Sequence, residues 1–394
     1  MPSRSAKGKK IKKGKIVAIF DIGTSVVSGA LVLLPEKKDT RPVILHTAHA
    51  AIPVQEEFEF KRFFQLVLSA LESASAALAA HRDDVPEKTY CFLASPWYAS
   101  QTRSIRLSRP KPFTFTKKFA MELIERDLKA FESTYVKNYA DIGSPVNVIE
   151  NKIIEIELNG YTAPVPFGKR ARELAMHLYF SVGSHALLES LEHVLHRSFA
   201  VAPVSFHSFA FASFIVAREV IDEQSFLLVD VSGEMTDISI IKDGVLAESV
   251  SYPSGKNALV RDLSIAFAVR EREAVSLLRT YTVGTLGADA SARVRRVLDR
   301  AGKRWSRQFG EALFQLSNHD RIPRTLALSV DGDAAAFFKA AIEGEEFSQF
   351  MRTSGKFNVI LIRYDLLCTF CKVEDAAERD LFLMLETLFV NSLL

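Results

Sequence analysis

"DIGTSVVSGAL", Asp21–Leu31, follows directly on the apolar run Ile16–Phe20. A carboxylate closes a strand of buried type, three small residues turn the chain, and a second apolar stretch starts at once. Gly-Thr-Ser is long enough for a plain hairpin turn. The same spacing serves as a phosphate loop. There Asp21 holds a metal ion or its water, Gly23 lets backbone approach phosphate, and the hydroxyls of Thr24 and Ser25 donate. This stretch alone leaves both readings open.

A second stretch weighs against the plain hairpin. "FLLVDVSGEMTDISIIKDGVLAESVSYPSG", Phe226–Gly255, repeats the scheme: an apolar strand ending in Asp230, a turn bearing Gly233, another apolar strand, a "KDG" turn and a third strand. The opening region has the same three strands at Ile16–Phe20, Val26–Leu34 and Val43–Ile52. One hairpin of this form is common, but two with Asp in the same place indicate a duplicated unit.

Around these units the apolar periodicity predicts helices over Phe60–Ala80, Lys117–Tyr135 and Ala186–Leu195, and strands at Tyr90–Ala94, Arg103–Leu107, Ile149–Leu158 and Ala175–Val182. "RPKPF" reads as a loop. The segment Asn257–Asn318 reads as helical and rich in arginine. Its interleaved acids make it a solvated helix face rather than a nucleic-acid surface. A strand at Thr325–Val330, a short helix, a strand at Val359–Tyr364 and a last helix over Ala376–Leu393 complete the pattern.

Composition sets the class. The 394 residues are 48% hydrophobic and 25% charged, within the range of soluble globular chains of two to three domain-sized units. No apolar run approaches the ~20 residues of a membrane helix. The basic N-terminus lacks the hydrophobic core of a signal peptide, and three cysteines imply a reducing cytoplasm. Seven basic residues, Arg4, Lys7, Lys9, Lys10, Lys12, Lys13 and Lys15, precede the first acid; subtracting them from the net charge of +3 leaves −4 for the rest. The tail suits electrostatic contact with an anionic membrane surface. Cys368 and Cys371 form a CxxC without a second pair, which points to packing rather than a metal centre. The histidines show neither HxH nor HExxH spacing.

The duplicated loops resemble those of the actin/hexokinase/chaperone ATPase superfamily, and within it the FtsA family of bacterial cell division, with the PilM family of type IV pilus assembly close behind. The family's first loop, Asp-x-Gly-Ser/Thr, is matched by Asp21, Gly23, Thr24 and Ser25. In the second, Asp230, Gly233 and Asp237 match Asp-x-Gly-Gly-Gly-Thr-x-Asp. The resemblance extends through "NVIENKIIEIELNGYTAPVPFGKRARELAMHLYFSVGSHALLESLEHVL" and "VAPVSFHSFAFASFIV", the latter similar to the helix before the second phosphate strand.

The resemblance implies an α/β fold of two actin-like (ribonuclease H-like) domains around a nucleotide cleft, with an inserted αβ domain of FtsA (SHS2-like) type. The expected divisions are a basic tail at 1–15, a first core domain at 16–87 and 199–223, the inserted domain at 88–198, a second core domain at 224–256 and 321–394, and a helical subdomain at 257–320. It implies ATP and Mg²⁺ as ligands, with Asp21 and Asp230 holding the metal through water. Ser232, Glu234, Thr236, Gly255, Lys256 and Gly332 complete the nucleotide site. Expected partners are a tubulin-like division protein or a pilus membrane protein, bound through the inserted domain, with self-association into filaments. Expected location is the cytoplasm, at the inner face of the cell membrane.

The second loop departs from the family. Ser232 and Glu234 replace glycines, and Met235 stands where a threonine is expected, although Thr236 follows. Glu234 either repels phosphate or points away as an extra metal partner, and Lys256 can offset the added negative charge. These departures indicate a weak or degenerate ATP site, at most a slow ATPase, in an FtsA-like scaffold. A PilM-like role is the alternative, and an active ATPase or sugar kinase a third.

Overall fold

The computed structural model describes residues 14–37, 40–138, 145–199, 202–317, 321–345, 347–351 and 355–394. The basic tail read at 1–15 lies outside them except for Gly14 and Lys15, and Lys15 already belongs to the first strand.

The first half is built on a six-stranded sheet. Strands β1 (Lys15–Ile22), β2 (Val26–Leu34) and β3 (Val43–Ala51) form an antiparallel meander, and α1 (Phe60–Ala79) crosses to β4 (Lys88–Leu93). β4 runs parallel to β1, so Lys88–Leu93 belongs to this sheet and not to the block that follows it. That block holds β5 (Ala99–Thr114), α2 (Lys117–Asn138), β6 (Val146–Leu158), β7 (Tyr161–Thr162) and β8 (Arg170–Ser184), whose strands form a separate antiparallel sheet in the order β5-β8-β6-β7. The chain then returns through α3 (His185–Ser198) to β9 (Val204–Ser208), parallel to β4, and enters α4 (Phe209–Val220). "RPKPF" is part of β5, where the register with β8 breaks between Ser108 and Phe113. An edge strand accommodates Pro110 and Pro112 because their missing N–H groups face no neighbour.

The second half repeats the first. Strands β10 (Phe226–Val231), β11 (Thr236–Lys242) and β12 (Val245–Tyr252) form a meander, followed by α5 (Lys256–Phe267), α6 (Glu271–Thr282) and α7 (Ala288–Ser317). Then come β13 (Thr325–Val330), α8 (Ala335–Gly344) and β14 (Asn358–Leu361). The sheet order β12-β11-β10-β13-β14 copies β3-β2-β1-β4-β9, with the same parallel and antiparallel pairings. The chain then crosses back: α9 (Tyr364–Leu367) leads to β15 (Lys372–Val373), which adds to β3, and α10 (Leu381–Ser392) ends the fold. This last helix begins later than its apolar pattern suggests, where Asp380 caps the Phe382 and Leu383 N–H groups.

Strand alternation explains the layers. In β1, Ala18, Phe20 and Ile22 pack with Phe63 and Leu71 of α1 and with Leu191 and Leu195 of α3. α3 therefore serves the first core rather than the intervening block. Val17 and Ile19 face the opposite side, among Phe211 and Phe214 of α4 and Leu385 and Phe389 of α10. Phe226 and Leu228 of β10 join that same cluster from the second sheet, while Leu227 and Val229 pack on α5 and α7. Helices α4 and α10 thus form a shared layer between the two duplicated sheets. No helix of the described residues is long and apolar enough to cross a membrane.

Glu150 ties the four-stranded sheet to this core. It sits on β6, 1% exposed, and accepts from the hydroxyls of Ser181 and Ser208 at 2.5 Å each and from the Ser208 N–H at 3.1 Å. Tyr179 joins through its hydroxyl, 2.9 Å from Ser208 Oγ. Glu150→Ala strands three buried donors, and we expect a loss of about 2–4 kcal/mol, with Glu150→Gln losing less. A denaturant midpoint unchanged in the alanine variant would show that the sheet is held elsewhere.

Candidate functional site

The two Asp-ended strands meet at the cleft between the halves. Asp21 is the penultimate residue of β1 and pairs across the hairpin with Ser28; Asp230 is the penultimate residue of β10 and pairs with Asp237. Asp21 and Asp230, 4% and 6% exposed, line one small cavity with Gly23, Thr24, Ser25 and Asp331. The fold thus brings Asp21, Gly23, Thr24, Ser25, Asp230, Ser232 and Gly233 of the two sequence-predicted loops together. What they enclose differs from a phosphate clamp.

The loops touch each other. Thr24 Oγ1 accepts from the Glu234 N–H at 2.9 Å and lies 3.1 Å from Ser232 Oγ. A Cβ on Gly233 would come within 2.7 Å of the Ser25 nitrogen and of the Thr24 carbonyl carbon, so the glycine's bare face is filled by the opposite loop. A Cβ on Gly255 would likewise strike the carbonyl oxygens of Ser232 and Gly233, at 2.4 and 2.5 Å. Those two carbonyls take the first N–H groups of α5, from Lys256 at 3.0 Å and Asn257 at 2.8 Å. Donors that a helix N-terminus could offer to phosphate are spent on the protein's own loop.

Side chains close the remaining space. Lys256 bridges Asp331 and Asp333 at 2.9 and 2.8 Å, and the Ser25 hydroxyl reaches Asp331 at 3.4 Å across the cleft. Asn257 Nδ2 donates to the Thr24 carbonyl at 3.5 Å and to Glu234 Oε1 at 2.8 Å. Glu234 points away from the cavity into a bidentate pair with Arg261, at 3.1 and 2.6 Å. It neither confronts a phosphate nor offers itself to a metal, because Arg261 and Asn257, one turn apart on α5, hold both its oxygens. Thr236 is structural too: its hydroxyl donates to the Ser254 carbonyl at 2.6 Å and accepts from the Trp305 indole at 3.1 Å. Asp237 accepts from Ser95 at 2.7 Å and from Ser251. Gly332 has no neighbouring atom within 4 Å of where a Cβ would stand, so the turn there presses on nothing.

The cavity left is about 20 Å³. That admits about one water molecule, whereas pockets for ligands of nucleotide size span roughly 300–1,000 Å³. Mg²⁺ keeps most of its hydration shell, which this space cannot hold. Closed in this way, the space between the two loops does not fit the phosphates and hydrated Mg²⁺ of Mg-ATP.

The buried carboxyls respond to their enclosure. Burial pushes Asp230 up to about 8, reinforced by the charge of Asp237 and then of Asp331, while the Ser329 hydroxyl at 2.6 Å pulls the other way. Asp21 is raised well above the ordinary range by burial and by the charges of Asp380, Asp230 and Asp331. Its neighbour Glu386, fully buried on α10, is raised by burial and by Asp21 and Asp380. Neither oxygen of Glu386 has a hydrogen-bond partner among the described residues, so its enclosure favours the neutral acid. Glu386, Asp380, Asn257 and Arg261 are site residues that motif reading misses. The available signal for Glu386 is a lone acid within "LFLMLETLFV".

These shifts have one sign. Between 3.8, where unfolded Asp releases its proton, and about 8, folded Asp230 holds a proton that the unfolded chain lacks. Its contribution is complete below the lower value and is lost as pH rises, at about 1.4 kcal/mol per pH unit for each such group. We expect the melting temperature to fall from pH 5 to pH 8, and Asp230→Asn to flatten that slope. An unchanged slope in the asparagine variant would exclude Asp230 as its source.

No protein-family model matches the chain, and no curated protein sequence does. Solved structures do. The PilM–PilN type IV pilus biogenesis complex is 14% identical, with a TM-score of 0.56 over 91% of this chain and 90% of that one. MreB 5 of Spiroplasma citri bound to AMPPNP is 11% identical, with a TM-score of 0.46 over 96% and 97%. The ethanolamine utilization protein EutJ from Carboxydothermus hydrogenoformans is 13% identical, with a TM-score of 0.43 over 95% and 89%. The PilM likeness spans both duplicated sheets and the block between them, at an identity that speaks to fold and not to role. Together with the paired Asp-ended hairpins and the matched order of the two sheets, it identifies the chain as having the actin-like ATPase fold.

Proposed function

We propose that this protein is an actin-fold scaffold that works with its cleft shut and without nucleotide, and that it holds a protein partner in a pilus-assembly complex. The observation that carries this reading is the filled cleft. Gly233 lies against Thr24 and Ser25 where phosphate would have to enter, and Lys256 is already neutralised by Asp331 and Asp333. The PilM–PilN likeness favours a pilus partner over a division partner. An FtsA-like role, with a tubulin-like filament protein as the partner, is the second reading, supported by the sequence around Asp21–Leu31.

The block between β4 and β9 is the proposed contact region. Around β7 it exposes Tyr161, Val165 and Phe167, at 78%, 71% and 43%. Large apolar side chains exposed along one short stretch of chain suit a protein contact. The basic residues of the N-terminal tail add an electrostatic hold on an anionic membrane surface, at roughly 1 kcal/mol per Lys or Arg near it.

Calorimetric titration with Mg-ATP is expected to give no binding heat and no phosphate release. Glu234→Gly should not create binding. It should instead destabilise the fold, because Arg261 loses its partner. Arg261→Ala leaves Glu234 unpaired and should cost roughly 2–3 kcal/mol. Binding of purified pilus membrane-protein peptide should be lost in Tyr161→Ser/Val165→Ser with the melting temperature unchanged. Saturable Mg-ATP binding by the wild type would overturn the nucleotide-free reading. Capture of a tubulin-like filament protein in place of the pilus peptide would transfer the role to cell division.

A further inference from the structure

Apart from the residues that line the cleft, three potential metal ligands converge on the four-stranded sheet. Glu155 and Glu157 lie two residues apart on β6, and His177 stands on β8 directly opposite Glu155. Residues i and i+2 of a strand share a face, and a cross-strand partner lies about 5 Å away, so the pattern brings three side chains over one point. One nitrogen of His177 and one oxygen of each glutamate all lie within 4.8 Å of one another.

Neighbouring hydroxyls fix the outer atoms. Ser104 Oγ on β5 lies 2.9 Å from His177 Nδ1, which leaves Nε2 to face Glu157 Oε1 at 3.6 Å. Thr162 on β7 donates to Glu155 Oε1 at 2.8 Å. Each of the four strands thus contributes a ligand or a group that orients one, an arrangement that sets the ring and carboxylate directions before an ion arrives. Among the described residues neither glutamate is paired with Lys or Arg. Two like charges on one face are left with a single imidazole between them. By contrast, His49 binds Asp380 and Glu378 through opposite ring nitrogens, which spreads its acids apart instead of gathering them.

We propose that Glu155, Glu157 and His177 form a binding site for a first-row divalent transition-metal ion, with zinc as the probe. Zinc holds nitrogen and oxygen donors at about 2.0–2.2 Å, so tetrahedral donors sit about 3.3 Å apart, and modest side-chain rotation closes the cluster to that size. One imidazole and two carboxylates match zinc, manganese or iron better than calcium, which takes six to eight oxygens. Three protein ligands leave a position open for water or for a group brought by a partner. The bound ion would clamp β6 to β8.

The test is titration of full-length, chelator-treated protein with Zn²⁺, alongside the absorption spectrum of the Co²⁺ form. Wild type should bind one equivalent, melt several degrees higher with zinc, and resist displacement by excess Mg²⁺. His177→Ala and Glu155→Gln should each weaken binding by about a hundredfold and remove the cobalt spectrum, with the metal-free melting temperature unchanged. Ser104→Ala should weaken it roughly tenfold, as expected for a group that orients a ligand. Cys368→Ser/Cys371→Ser should have no effect. Absence of binding in the wild type would overturn the proposal, as would binding that survives His177→Ala or disappears in the cysteine variant.

Discussion

Contact between the Gly233 backbone and the backbone of Thr24 and Ser25 governs the arrangement of the cleft. Two strand–turn–strand hairpins, one from each half, meet without space for even a methyl group between them. With the loops closed on each other, N–H groups of the second loop and of the helix after it face protein acceptors. The Glu234 N–H goes to Thr24, and the first N–H groups of α5 go to the Ser232 and Gly233 carbonyls. Buried polar groups that are already satisfied gain nothing from a phosphate unless the loops part, and parting them breaks several bonds at once.

The charges follow from that closure. A cleft built to hold a cation and a polyphosphate would leave its acids ionised. Here Asp21 and Glu386 are both raised by burial, Asp230 is pushed up to about 8, and the acids nearer the rim are matched by Lys256 and Arg261. Helix α10 is central to this, since it carries Glu386 beneath Asp21 and begins at Asp380, which also accepts from Ser28 at 3.0 Å and meets His49 at 2.9 Å. The final segment of the chain therefore braces the first hairpin, and the two halves share one apolar layer as well as one polar seam.

Much of this was legible locally. The apolar run, the Asp and the small-residue turn occur twice because each hairpin needs them within a dozen residues, and both the duplicated sheet order and the meeting of Asp21 with Asp230 follow from that repeat. Lys256 could be suspected from its place beside Gly255. Contacts that depend on distant chain were not legible. Glu386 joins Asp21 only through the crossing back of α10, and Arg261 finds Glu234 only when α5 starts at Gly255. His177 escaped motif spacing because its partners lie across a strand pair, where sequence separation carries no information. "RPKPF" misled because two prolines read as a loop, whereas a sheet edge tolerates them.

The account turns on whether the two halves stay closed in solution without nucleotide. Spin labels at Ser73→Cys on α1 and Ser276→Cys on α6, both exposed, in a Cys368→Ser background, report the distance between the halves by pulsed electron resonance. The account predicts one narrow distance distribution that saturating Mg-ATP leaves unchanged. A broad distribution that narrows or shifts when Mg-ATP is added would contradict it, because the cleft would then be a nucleotide site that opens to load.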